Sequence, residues 1–190
     1  MQKKKTRKRS KSMIASSVEK NQWQEIRNIY IEAFPQKERK PFWVLQHSVK
    51  CGKVQIFVET VNNAVQGFIV VIPFKNMIMV DYLAVSAKTR SRGTGSRMLQ
   101  DICQRFSGKK VVLLIERLED EAENKEQRIA RRKFYLKNGF TSSGIFIQGA
   151  SGAMEVLNYG GMVTPEEYLS LQKYALGALF FRLSKIQLVN

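Results

Sequence analysis

The chain predicts an α+β fold, a mixed and mostly antiparallel sheet flanked by helices, with a helical extension at its C-terminal end. Three observations lead there. Runs rich in strand formers follow one another across short turns over 53–85. A strand, a glycine turn and an amphipathic helix then occur in immediate succession over 77–106. Beyond residue 164 the pattern is continuously apolar and helical. With 190 residues, 44% of them apolar, the chain suffices for one domain with a sizeable core and is not disordered as a whole.

Residues 13–17 suit a short first strand. A helix follows over 19–34, with Trp23, Ile26, Tyr30 and Phe34 near helical spacing and Pro35 ending it. Pro41 opens a second short helix over 41–48. Strands over 53–61 and 64–73 form a hairpin at Asn62-Asn63, and a third over 77–85 pairs across Lys75-Asn76. The helix over 96–106 places Met98, Leu99, Ile102, Cys103 and Phe106 on one face. An apolar strand spans 111–116. Residues 119–127 are a charged loop or the first turn of a helix that runs over 128–138 to the stop at Gly139. Strands over 141–147 and 153–158 close a hairpin. Tyr159-Gly160-Gly161 breaks the pattern, then Thr164 as cap and Pro165 at the first helical position start a last helix reaching about residue 188. The segments divide into a basic arm (1–12), a main domain (13–160) and the extension (161–190).

The turn Arg90-Ser91-Arg92-Gly93-Thr94-Gly95 carries the most chemistry. Two glycines at the mouth of a helix let backbone N–H groups without intrahelical partners point outward together, and the helix dipole adds positive potential. Such a turn holds phosphate, and Lys88, Arg90, Arg92 and Arg97 surround it. The phosphate-loop NTPase pattern needs Lys-Ser/Thr after its second glycine; Ser96-Arg97 stands there instead. The dinucleotide fingerprint needs a small residue where Met98 stands. No Gly-x-Ser-x-Gly elbow is present, and His47 is the single histidine, so hydrolase triads are disfavoured.

The Arg-x-x-Gly-x-Gly spacing after Leu83-Ala84-Val85 resembles the acetyl-CoA loop of the GNAT (Gcn5-related) N-acetyltransferases. Arg132-Lys133-Phe134-Tyr135-Leu136-Lys137-Asn138-Gly139-Phe140 resembles that family's late helix, which ends in a tyrosine followed by Gly-Phe. The resemblance covers residues 13–158 and implies a GNAT-like sheet, acetyl-CoA as acyl-donor cosubstrate, an amine acceptor and no metal. It implies that Gly93, Thr94, Gly95 and Ser96 offer N–H groups to the diphosphate. Arg90 and Arg92 stand beside it, with Arg90 closing the turn or reaching a phosphate. Leu83 and Val85 would grip the pantetheine arm through a splay between strands and polarise the thioester. Tyr135 matches the tyrosine that protonates the departing thiolate. Where many members carry Asn, seven residues before the tyrosine, this chain has Arg128, so cofactor contact would come from Arg128, Arg131 or Arg132.

Amine acetylation requires loss of an ammonium proton, attack on the thioester and departure of the thiol, with no nucleophilic residue, so direct transfer in a ternary complex is the expected route. Cys103 reads as a core thiol. Glu116, ending the strand that flanks the acyl site, and Asp81, opening the strand on the other flank, are the candidate bases. Simple alternation puts Asp81, Leu83 and Val85 on one face. The competing reading of Glu116 is a strand-end charge paired with Arg117 or a helix arginine, and for both carboxylates substrate binding is a further reading.

The formal charge is +16, and seven of the 32 basic side chains fall in the first eleven positions, which hold no acid. Such a segment is expected to be a mobile arm. It motivates a second reading, a basic RNA- or ribosome-associated binding protein on the same scaffold, although no aromatic RNA-recognition signature accompanies it. Two cysteines, no signal-peptide pattern and no membrane-length apolar run point to cytoplasmic residence. The apolar final helix suits core packing, a homodimer contact or, less well, a membrane surface.

Overall fold

The computed structural model describes residues 13–15, 17–149 and 152–189. The basic arm expected over 1–12 lies outside them. Among the described residues eight strands form one sheet in the order β1-β2-β3-β4-β5-β7-β6-β8. They are β1 (Met13–Ala15), β2 (Gln55–Val61), β3 (Ala64–Phe74), β4 (Met77–Val85), β5 (Lys110–Glu116), β6 (Thr141–Gly149), β7 (Gly152–Tyr159) and β8 (Gln187–Val189). Among the described residues only β4 and β5 pair in parallel, because α3 (Thr94–Arg105) carries the chain between them as a crossover.

Each face of the sheet has its own core. On one, α1 (Gln22–Ala33), α2 (Phe42–Lys50) and α5 (Pro165–Leu176) bury Ile26, Tyr30, Leu45, Tyr168 and Leu171 against Val58, Phe68, Met79 and Val112. On the other, α3 and α4 (Lys125–Lys137) cover Phe57, Ile69, Val80 and Leu113 with Met98, Leu99, Ile102, Phe134 and Tyr135. Burying a side chain of this size contributes about 1.5–3 kcal/mol. Glu155, almost fully buried on β7, anchors α4 through two bonds from Arg132, at 2.9 and 3.2 Å. A charged pair of this kind defines geometry more than it adds stability.

Two irregularities shape the centre of the sheet. Val70 pairs with Tyr82 but Val71 pairs with Val80, so Asp81 is an extra, bulged residue in β4. The bulge also resets which side chains face which layer. Met77 and Met79 before it, and Tyr82 and Ala84 after it, share the α1 side, whereas Ile78, Val80 and Leu83 share the α3 side. Beyond Val80↔Leu113 the two parallel strands part: residues 81–85 of β4 have no partner on β5, while β5 continues paired only to β7.

The C-terminal extension differs from the single helix expected. A Thr164–Glu167 capping box and Pro165 do start α5, but Gly177 (φ 80, ψ 156) interrupts it, α6 is only Ala178–Leu183, and β8 then pairs on the edge of β6. Leucine and phenylalanine continue across Gly177, so hydrophobicity hides the break. Among the described residues no helix is long and apolar enough to cross a membrane.

Candidate active site

A cleft of about 450 Å³ opens where β4 and β5 diverge, within the size range of small-molecule sites. Leu83 and Val85 of β4 form one wall, the 89–96 turn another, and Arg131, Phe134 and Tyr135 of α4 a third.

Two arginines hold the turn in shape, Arg97 from outside the cleft and Arg90 from its lining. Gly93 adopts a left-handed conformation (φ 78, ψ 4) as the residue before α3. Arg97, one turn on, donates to the Arg92 carbonyl (3.0 Å), the Thr94 hydroxyl (3.0 Å) and the fully buried Glu59 carboxylate (2.7 Å). Arg90 Nε donates to the Val85 carbonyl at 3.3 Å and ties the end of β4 to the turn. With these side chains working as braces, the backbone remains available. Among the described residues, no N–H of residues 91–96 donates to a protein acceptor, and no side chain caps α3. Five of those residues, Ser91, Gly93, Thr94, Gly95 and Ser96, line the cleft. Converging unpaired donors at a helix start are what an oxyanion or diphosphate needs.

Tyr135 forms the far wall, its ring edge-on to Phe134 (5.1 Å between centroids) and Phe140 (5.9 Å). Burial pushes its phenol up to about 12, the Arg131 guanidinium drawing it partly back. The group is therefore a neutral proton donor at physiological pH. Among the described residues nothing hydrogen-bonds its hydroxyl.

Other expected site residues are placed differently. Arg128 does not line the cleft. It is spent on the segment before α4, donating to Asn124 Oδ1 (2.8 Å), the Arg117 carbonyl (2.7 Å) and Glu119 (2.8 Å). Arg131, one helical turn nearer Tyr135, takes the wall instead. Arg92 contributes its carbonyl to Arg97 and its side chain is exposed. Glu116 is half-buried behind the wall, bonded by Asn124 Nδ2 (2.9 Å) and ion-paired with Arg131.

Asp81 is not on the face of Leu83 and Val85, because the bulge turns it, with Tyr82, toward the α1 layer. There Lys40 Nζ sits 2.7 and 3.0 Å from its two oxygens. Lys40, a residue that sequence reasoning missed, lies 41 positions away, and nothing local marks the contact. Phe134 and Ser91 were also missed as wall residues.

Comparisons with known proteins agree with this architecture. A family model described as an acetyltransferase (GNAT) domain matches residues 40–142. Among curated proteins none matches the chain. Among solved structures, one from Bacteroides thetaiotaomicron assigned to the GNAT family superposes with a TM-score of 0.71 at 19% identity, covering 90% of this chain and 98% of that one. The Escherichia coli ribosomal-protein-S18-alanine N-acetyltransferase gives 0.61 at 16%, covering 82% and 97%. A Bacillus subtilis acetyltransferase in complex with CoA gives 0.60 at 14%, covering 78% and 97%. At such identities the likeness is one of fold.

Proposed function

The chain belongs to the GNAT acetyltransferase family, and from that premise we propose that it moves an acetyl group from acetyl-CoA to a primary amine by direct attack in a ternary complex. The observation that carries this reading is the common cleft. The unpaired amides of the 93–96 turn, the unpartnered stretch of β4 and the Tyr135 phenol all border it. These residues fit the donor. The turn offers N–H groups to a diphosphate, and β4 beyond Val80 offers a strand edge to an amide-bearing pantetheine arm, as a sheet edge accepts any extended chain.

The catalytic roles follow from charge flow. A backbone donor at Leu83 or Val85 stabilises the developing oxyanion, an effect of roughly 10²–10³ in rate. Tyr135, whose phenol is protonated at physiological pH, gives its proton to the departing thiolate. Neither Asp81 nor Glu116 lines the cleft, and each is ion-paired. Of the two, Asp81 stands at the edge of the strand gap and is the better placed to take the ammonium proton. Glu116 is assigned to orienting Arg131 and the start of α4.

Calorimetric titration with acetyl-CoA tests the reading. Saturable binding that Gly93→Ala weakens is expected, because an L side chain is strained at that left-handed position. Absence of binding at millimolar ligand overturns it.

A further inference from the structure

The position of Lys40 carries the inference furthest. It follows the Gln36–Glu38 turn and precedes α2. Its backbone is fixed twice: the carbonyl accepts from Tyr30 Oη (3.1 Å) and the N–H donates to Tyr82 Oη (3.3 Å). Its ammonium meets both Asp81 oxygens and stands 5.6 Å from the centroid of the Tyr82 ring. A carboxylate and an aromatic face together make a cradle for a primary ammonium. This cradle sits at the β4 bulge, one residue past the last β4–β5 pair, where the strands open. The Lys40 side chain is 36% exposed, so the pair is reachable and not locked in the core.

We infer that Lys40 is an acetyl acceptor in cis: Asp81 and Tyr82 hold its ammonium at the gap between β4 and β5, and in the absence of an external amine the protein acetylates it. The inference rests on the acetyl-CoA reading above. The Lys40 ammonium passes one proton to Asp81, and the freed Nζ attacks the thioester carbonyl carbon. The new C–N bond forms as the C–S bond breaks. The nitrogen loses its second proton while the thiolate takes one from Tyr135, which is then reprotonated. The products are Nζ-acetyl-Lys40, CoA thiol and one proton released to solvent. Acetylation removes the charge that occupies Asp81, so the carboxylate becomes available to an incoming ammonium.

The test is incubation of the full-length protein with isotopically labelled acetyl-CoA and no other amine, with peptide mass spectrometry reading each lysine. The exposed Lys133 of α4 serves as internal control for non-enzymatic acetylation. Lys40 is expected to react about 10²-fold faster than Lys133, as a positioned amine should. Its rate per chain should be unchanged on dilution, and Tyr135→Phe should slow it while leaving Lys133 unaffected. Lys40→Arg keeps the ion pair and the fold and should abolish this modification alone. Labelling of Lys40 no faster than Lys133, or at a rate that falls on dilution, overturns the inference. CoA calorimetry on the same sample separates the two failures. Without CoA binding the parent reading falls as well; with binding but no preferential Lys40 labelling, only the cis-acceptor inference falls.

Discussion

Phe134 of α4 packs its ring against Gly95 at the start of α3. A Cβ added to Gly95 would stand 3.3 Å from Phe134 Cζ and 3.6 Å from Val85 Cγ2. Strand, turn and late helix, which are distant in sequence, meet at this one backbone position.

Gly95→Ala forces Phe134 back. Because the residue is helical, alanine gains about 1 kcal/mol of propensity that offsets the crowding, so melting temperature should hardly change. Acetyl-CoA affinity should fall about tenfold, since displacement of a site wall is felt even when small. Phe134→Leu in the same chain should restore it. Calorimetry on the two single variants and the double variant checks the coupling, and additive effects would sever Gly95 from Phe134.

Arg97 braces the turn through Arg92, Thr94 and the buried Glu59. Arg97→Ala removes charge-assisted bonds to a fully buried carboxylate and should cost about 2 kcal/mol in urea unfolding. The turn should loosen with it, so acetyl-CoA binding weakens together with stability. Unchanged affinity in a destabilised Arg97→Ala protein would show that the loop keeps its shape without the brace.

The readable parts of this molecule were local. A strand, two glycines and an amphipathic helix in succession marked the loop, and its amides are unpaired and face a cleft. Asp81 shows where local reading stops. A bulge inserts one residue against Val70-Val71 without any glycine or proline to announce it, and period-2 alternation then assigns the wrong face. Lys40–Asp81 and Arg97–Glu59 are long-range pairings, made only when the sheet closes. The use of Arg128 by Arg117 and Glu119 depends on how the loop before α4 folds back, which composition does not encode. At the C-terminal end, helix and strand formers share the same apolar residues, so the break at Gly177 and the pairing of β8 were invisible.

That end also yields a contrast. Tyr168 of α5 is fully buried and bonded from Gln172 Nε2 at 2.8 Å, whereas Leu183 of α6 is 63% exposed. Tyr168→Ala should cost about 3–5 kcal/mol, and Leu183→Ser should stay within about 0.5 kcal/mol. Urea unfolding of both variants decides it. Comparable losses would mean that α6 is buried in solution, as in a dimer.

Tyr135→Phe should lower kcat by about 10²-fold while leaving acetyl-CoA affinity in place, because the ring's packing on Phe134 and Phe140 survives and only the proton is lost. The same phenol leaves a mark on stability. Its pKa is pushed up to about 12 by burial, against the ordinary value of 10.0. Between those values the unfolded chain gives up the proton and the folded chain keeps it. Stability is therefore complete below the ordinary value and is lost as pH rises toward the folded one. Burial also raises Tyr82 and Tyr168, which steepen the wild-type decline. The variant should lose less stability than the wild type over the same window. Melting temperatures compared across about pH 9 to 11 read the difference. Parallel melting of the two proteins would mean that the Tyr135 hydroxyl is as well solvated in the folded chain as in the unfolded one, and that burial does not raise it.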